Sequence, residues 1–189
     1  MSYRSTSNRA HKPGERRVPP PLDAVRLNEL ALGYLARFAT SAAKLEAYLR
    51  RKLRERGWDG EGEPPVAALI ERCIAAGYVD DAIYARSKAG SLMRRGYGAR
   101  RVDQSLSAAG IASDLREAVR GTVAEQRHAA LALARKRRLG PFGPPLADRQ
   151  AREKQVAVLL RAGHRLDIAR QVVEAADHEW LEAWAKEED

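Results

Sequence analysis

Apolar positions in this chain recur with the period of an α-helix and almost never with the alternation of a strand. Leu27, Leu30, Ala31, Tyr34, Leu35 and Phe38 fall on one stripe, which predicts an amphipathic helix. Thr40 and Ser41 end it and offer an N-cap to a second helix, which carries Leu45, Tyr48, Leu49 and Leu53 and stops at Gly57. A polar loop from Asp59 to Glu63 leads to Pro64 and Pro65, the first turn of a third helix. Its stripe is Val66, Leu69, Ile70, Cys73 and Ile74, and Gly77 ends it. The succession then repeats. One helix runs from the caps Asp80 and Asp81 to about Arg95 and is broken by Gly96-Tyr97-Gly98. The next carries Val102 and Leu106 and stops at Gly110, and another, capped by Ser113 or Asp114, turns Leu115, Ala118, Val119 and Val123 inward. A third round runs from about Glu125 to Gly140, then through a Pro/Gly loop at 141–145 to a helix with Val156, Leu159 and Leu160 that stops at Gly163. Asp167 caps the last helix, whose face is Ile168, Val172, Val173, Trp180 and Trp184.

The stops are periodic. Gly57, Gly110 and Gly163 are 53 residues apart, and Leu53, Leu106 and Leu159 each stand four residues earlier. A fixed period of this length predicts an all-α fold of three tandem three-helix repeats, about nine helices, in an elongated, curved, right-angled or solenoid-like array. Helices this short are marginal alone, so packing between them must supply most of the stability. The expected division is a disordered basic tail over 1–24, repeats over 25–77, 78–124 and 125–185, and an acidic tail over 186–189.

Composition agrees. About half of the 189 residues are Ala, Leu, Glu, Lys or Arg, and β-branched residues are scarce. A single cysteine, Cys73, excludes an intramolecular disulfide and a multi-cysteine zinc site. The N-terminus shows no secretory pattern and no apolar run is long enough to span a bilayer, so a cytoplasmic protein away from the membrane is expected; a monomer is expected as well. The formal net charge is +9, and acidic residues crowd the end, from Glu174 to Asp189. A basic body suits a polyanion or an acidic protein groove; the competing reading is a solvated arginine-rich helical surface.

No catalytic, metal-binding or cofactor-binding constellation stands out. His11, His128, His164 and His178 are scattered and read as surface residues, Cys73 reads as a core residue, and Asp80-Asp81 as caps rather than a metal pair. The basic runs are more informative. Arg50, Arg51, Lys52, Arg54 and Arg56 crowd the second helix, Arg135 to Arg138 end the seventh, and Arg94, Arg95, Arg100 and Arg101 bracket Gly96-Tyr97-Gly98. The glycines of that turn permit close approach, and the helix after it would offer free N–H groups to an anion. Arg94, Arg95, Tyr97, Arg100 and Arg101, with Arg50, Arg51 and Arg54, are therefore the expected partner-binding or DNA-binding residues.

The stretch AGYVDDAIYARSKAGSLMRRGYGARRVDQSLSAAGI, from Ala76 to Ile111, resembles the signature of the RecX regulatory proteins. Gly77, Tyr78, Asp80, Asp81, Tyr84, Ala85, Gly96, Tyr97, Gly98, Arg101, Leu106, Gly110 and Ile111 match its elements in order and spacing. The first unit resembles the family's opening helices, and the third matches in pattern only. The chain departs from the family at Lys88, Ala89, Gly90 and Leu92. The resemblance implies three tandem three-helix bundles and a negative modulator of the RecA recombinase, not an enzyme. Such a modulator would lie in the helical groove of the RecA–DNA filament and hinder strand exchange, ATP hydrolysis and LexA cleavage, within DNA repair and the SOS response. Weak direct binding to single- or double-stranded DNA would accompany it. The alternative is a sequence-independent helical DNA-binding module without a recombinase partner.

Overall fold

The computed structural model describes residues 20–145 and 148–187, and over these the chain is α-helical, without a named strand. Ten helices are present: α1 Ala24–Leu35, α2 Ala42–Arg56, α3 Val66–Ala75, α4 Asp81–Arg94, α5 Ala99–Ser107, α6 Ser113–Ala118, α7 Val123–Arg137, α8 Arg149–Arg161, α9 Leu166–Glu174 and α10 His178–Trp184, with a 3-10 turn at Gly140–Phe142. Three hydrophobic cores follow one another along the chain. Leu27, Leu45, Leu49, Leu69 and Cys73 belong to the first, Ala85, Leu92, Val102 and Leu106 to the second, and Leu131, Leu159, Ile168, Val172 and Leu181 to the third.

Side-chain caps set most of the helix starts. Asp23, Ser41, Asp80, Asp148 and Asp177 each accept from the backbone N–H three residues on. Thr122 and Glu125 form a reciprocal capping box, so α7 opens at Val123, two residues before the expected start. α6 starts after Ala112 without a side-chain cap, so neither Ser113 nor Asp114 serves as one. α3 begins at Val66, just after the proline pair.

Four further expectations are corrected. The tail from 1 to 24 is shorter at its inner end: Leu22 is fully buried, held by Leu22 N–H on the Gly57 carbonyl (3.0 Å) and Asp59 N–H on the Leu22 carbonyl (2.8 Å). Residues 1–19, which include His11, lie outside the described residues, as do 188–189 of the expected acidic tail. The last helix is two helices, because Asp177 caps a new start at His178. Asp167 does not cap α9; it lies in the first turn and pairs with Arg165 at 2.7 Å. Phe38, Ile74 and Trp180 leave their stripes and are exposed, each standing at or near a helix end where no second layer covers it.

The 53-residue period has a structural cause. The C-terminal end of α5 abuts the N-terminal end of α2, and the C-terminal end of α8 abuts the N-terminal end of α5. In the first joint, Ser41 Oγ donates to the Ala109 carbonyl (2.6 Å) and the Asp81 carboxylate accepts Ala42 N–H (2.9 Å). In the second, Gly98 N–H donates to the Ala162 carbonyl (3.0 Å) and Arg100 N–H to the Gly163 carbonyl (3.1 Å). In the second joint orphan carbonyls at one helix end satisfy orphan N–H groups at the next, whereas in the first the Ser41 hydroxyl and the Asp81 carboxylate supply the partners. Gly163 has φ +94, and a Cβ there would overlap the Arg101 backbone, so only glycine lets the turns meet.

Candidate functional site

The basic residues separate by whether the fold already supplies them with an acid. Arg50 pairs with Glu46 at 2.7 Å, Lys52 with Glu55 at 2.6 Å and Arg51 with Glu55 at 3.6 Å. The Lys52 hydrogen bond holds the Glu55 carboxyl below its ordinary pKa, so that acid stays charged beside the cluster. Of the expected residues on α2, Arg50 and Arg51 are thus compensated and Arg54 is exposed. At the end of α7, Arg135 pairs with Glu182 and lies over the Phe142 ring.

The Gly96-Tyr97-Gly98 turn divides its four arginines. Arg95 lies over the Tyr97 ring, 5.6 Å from its centroid, and Arg101 stands across from it on α5. Arg94 runs back along α4 toward Gly90. Arg100 lines a different groove, which also holds Asp103 and Glu117. Tyr97 is a half-buried ridge between two grooves that share it and Arg95. One groove, about 410 Å³, adds Lys44 and Arg101 over Leu92 and Ala108. The other, about 340 Å³, adds Lys136, Arg137 and Arg161 over Leu133, Val158 and Ala162. No carboxylate lines either groove. The six cations come from helices of all three cores, and none of them makes an ion pair among the described residues.

Lys44 and Arg161 were not legible as members of this group, because only the end-to-end joints bring them to the turn. Lys136 and Arg137 were visible as a basic run without a place. Two of the N–H groups expected to be free at the start of α5 are already taken: those of Gly98 and Arg100 donate to the Ala162 and Gly163 carbonyls just past the end of α8.

His164 is the second correction. It is buried, not a surface residue, and its Nε2 lies 3.0 Å from the Gly96 carbonyl. A carbonyl only accepts, so Nε2 carries the proton, while the buried Nδ1 has no partner among the described residues. Burial pushes its pKa below the ordinary histidine value, against the opposing carbonyl hydrogen bond. The imidazole therefore sits neutral beneath the turn that carries Tyr97. Cys73 is buried as expected, and burial raises its thiol pKa. His128 and His178 are exposed.

Among the described residues, no group of three or more His, Cys, Asp or Glu is placed to hold a metal, and no helix is long and apolar enough to cross a membrane. The arrangement can hold an extended anion against an aromatic edge: six uncompensated positive charges gain little from one another and much from an acid or phosphate arriving between them.

Comparison with known proteins places this architecture. Residues 80–119 match the family model described as RecX, second three-helix domain. The regulatory protein RecX of Myxococcus xanthus is 32% identical over 169 residues, covering 83% of this chain and 89% of the relative. That of Leptothrix cholodnii is 31% identical over 151 residues, covering 79% and 88%. The crystal structure of RecX from Lactobacillus salivarius superposes with a TM-score of 0.62 at 23% identity, over 80% of this chain and 94% of that one, a likeness of fold.

Proposed function

The chain belongs to the RecX family of regulatory proteins, and we propose that it restrains the RecA recombinase by binding the RecA–DNA filament in its helical groove, with the double groove around Tyr97 as the contact surface. The observation that carries the reading is the set of six cations, Lys44, Arg95, Arg101, Lys136, Arg137 and Arg161, gathered without a carboxylate around one aromatic ridge. A ligand that binds one state of a filament better than another shifts the population by its differential affinity and needs no chemistry of its own. Inhibition of strand exchange, ATP hydrolysis and LexA cleavage would follow from that single shift.

The test is RecA-driven ATP hydrolysis on single-stranded DNA, titrated with the protein. Reversing Arg95, Arg101, Arg137 and Arg161 to Glu should keep the helical spectrum. Exposed pairs contribute roughly 0–1 kcal/mol each, so four together should raise the inhibitory concentration about 100-fold. A folded variant that inhibits like the parent would place the contact elsewhere. The same cations also fit the phosphates of bare DNA, and Tyr97 a base, which favours the DNA-binding module as a second reading. Binding to naked DNA that matches binding to the filament, and that falls steeply with salt, would select the module.

A further inference from the structure

The groove that holds Lys44 and Arg101 does not end at Lys44. On the far side of that residue a second depression of about 500 Å³ opens between the first two cores, at the elbow joining α3 to α4. Its character is different. Tyr78 is 63% exposed and Ile83 58% exposed, and both line it. Neither is out for want of a fixed backbone. Tyr78 N–H donates to the Cys73 carbonyl at 2.9 Å in the turn that closes α3, and Ile83 N–H donates to Asp80 at 2.7 Å in the cap that opens α4. In a turn of that kind the residue after the glycine ordinarily covers the preceding helix. Here the next residue, Val79, is buried instead and the Tyr78 ring stands in solvent. The fold therefore holds an aromatic and an aliphatic side chain at fixed places beside one depression and buries neither.

The polar rim says what fits. Lys44 and Lys88 stand at its edge, and its one carboxylate, Asp80, is committed to the α4 cap. We propose that this depression takes one apolar side chain from an acidic segment of the partner protein, with Tyr78 and Ile83 as its walls and Lys44 and Lys88 meeting the flanking acids. Lys44 joins it to the basic double groove, so apolar anchor and anion contact form one track. An aliphatic wall gains nothing from a phosphate backbone, which favours protein over nucleic acid here. The inference rests on the filament reading, in which that partner is RecA.

The experiment measures binding of the labelled full chain to RecA assembled on single-stranded DNA with a non-hydrolysed ATP analogue, and to the same DNA without RecA, across a salt series. The variant Tyr78→Ser/Ile83→Ser, altered only at exposed side chains, should keep the helical spectrum. It should bind the filament about tenfold more weakly at every salt concentration, the scale of losing an interface anchor. Its salt slope and its binding to DNA alone should stay at the parent values. Lys88→Glu should weaken filament binding and leave DNA binding in place. Filament affinity equal to the parent in the double variant overturns the inference, as does an equal loss on naked DNA, which would make Tyr78 a base-stacking platform. An unchanged Lys88→Glu variant beside a weakened double variant overturns the acidic character of the occupant. A parent that binds naked DNA as tightly as the filament removes the filament reading itself, an outcome visible before any variant is made.

Discussion

Replacing Gly98 by alanine tests whether the end-to-end joint stabilises the molecule or merely lies within it. Gly98 has φ −78 and ψ 168, extended backbone that alanine adopts without strain. The substitution therefore isolates one effect, the space for a methyl group. That space is absent: a Cβ at Gly98 would fall inside 3.0 Å of the Gly163 carbonyl carbon and oxygen and of His164 N, all backbone atoms that no rotamer change can move. To reach ordinary contact the two turns must part by roughly 1 Å, which takes a hydrogen bond beyond its useful range. Three bonds cross the joint: Gly98 N–H to Ala162 O, Arg100 N–H to Gly163 O, and His164 Nε2–H to Gly96 O. At about 0.5–1.5 kcal/mol each, their loss gives a destabilisation of about 2–4 kcal/mol. Gly33→Ala is the control. It lies within α1 with nothing inside 4 Å of its would-be Cβ, so the same chemical change should stabilise by about 0.5–1 kcal/mol. Urea unfolding followed by circular dichroism reads both. Amide hydrogen exchange should be faster at Gly98 and Arg100, the two backbone donors that cross the joint, in the Gly98→Ala chain. If Gly98→Ala lies within 0.5 kcal/mol of the parent, allowing about that figure for the scatter of surface changes, the joint carries no stability and the glycine period records helix stops alone.

His164 links the same joint to pH. Its folded-state pKa lies below the ordinary 6.5, so the unfolded chain takes up the proton first. Stability should be intact above that value, fall as pH drops through it, and level off below the folded pKa; His164→Gln should remove this step from the pH profile of urea midpoints. Asp81→Ala deletes the acceptor of Ala42 N–H at the other joint and should cost about 1–2 kcal/mol in thermal or urea unfolding. Cys73, buried and with a raised thiol pKa, should react with a thiol reagent only as the chain unfolds, and Cys73→Ser should cost about 1–3 kcal/mol by burying a hydroxyl among Leu69 and Ile70.

Much of this fold is written in local chemistry. Ser41 and Asp80 are caps whose side chains reach a backbone N–H three residues away, and such signals need no tertiary information. Asp177 was equally legible, three residues before Trp180, but the apolar run through Val173 and Trp184 hides a break that the cap makes explicit. Phe38, Ile74 and Trp180 depart from the pattern because periodicity assigns a face, while burial also requires a neighbour opposite it. His164 is buried for the converse reason. Nothing in its flanking residues distinguishes it from His128; its environment is made by Gly96, 68 residues away.

The candidate site divides along the same line. That basic residues cluster around Gly96-Tyr97-Gly98 is a fact of sequence; which of them remain uncompensated is a fact of packing. Arg50 and Arg51 sit within one helical turn of Glu46 and Glu55, so their neutralisation follows from the i, i+4 rule. Arg100 enters a groove containing Asp103 and Glu117, and Arg94 turns back along its own helix, because successive residues on a helix point about 100° apart. That same rotation puts Arg95 and Arg101 on the Tyr97 face. The head-to-tail joints then bring Lys44 from one side and Arg161 from the other. The joint and the site are one construction: the backbone contact at Gly98 and Gly163 that closes the second joint also sets the distance between Tyr97 and Arg161. A substitution that opens the joint should widen the groove, so on the proposed function Gly98→Ala should weaken inhibition of RecA-driven ATP hydrolysis as well as stability, although it removes no charge.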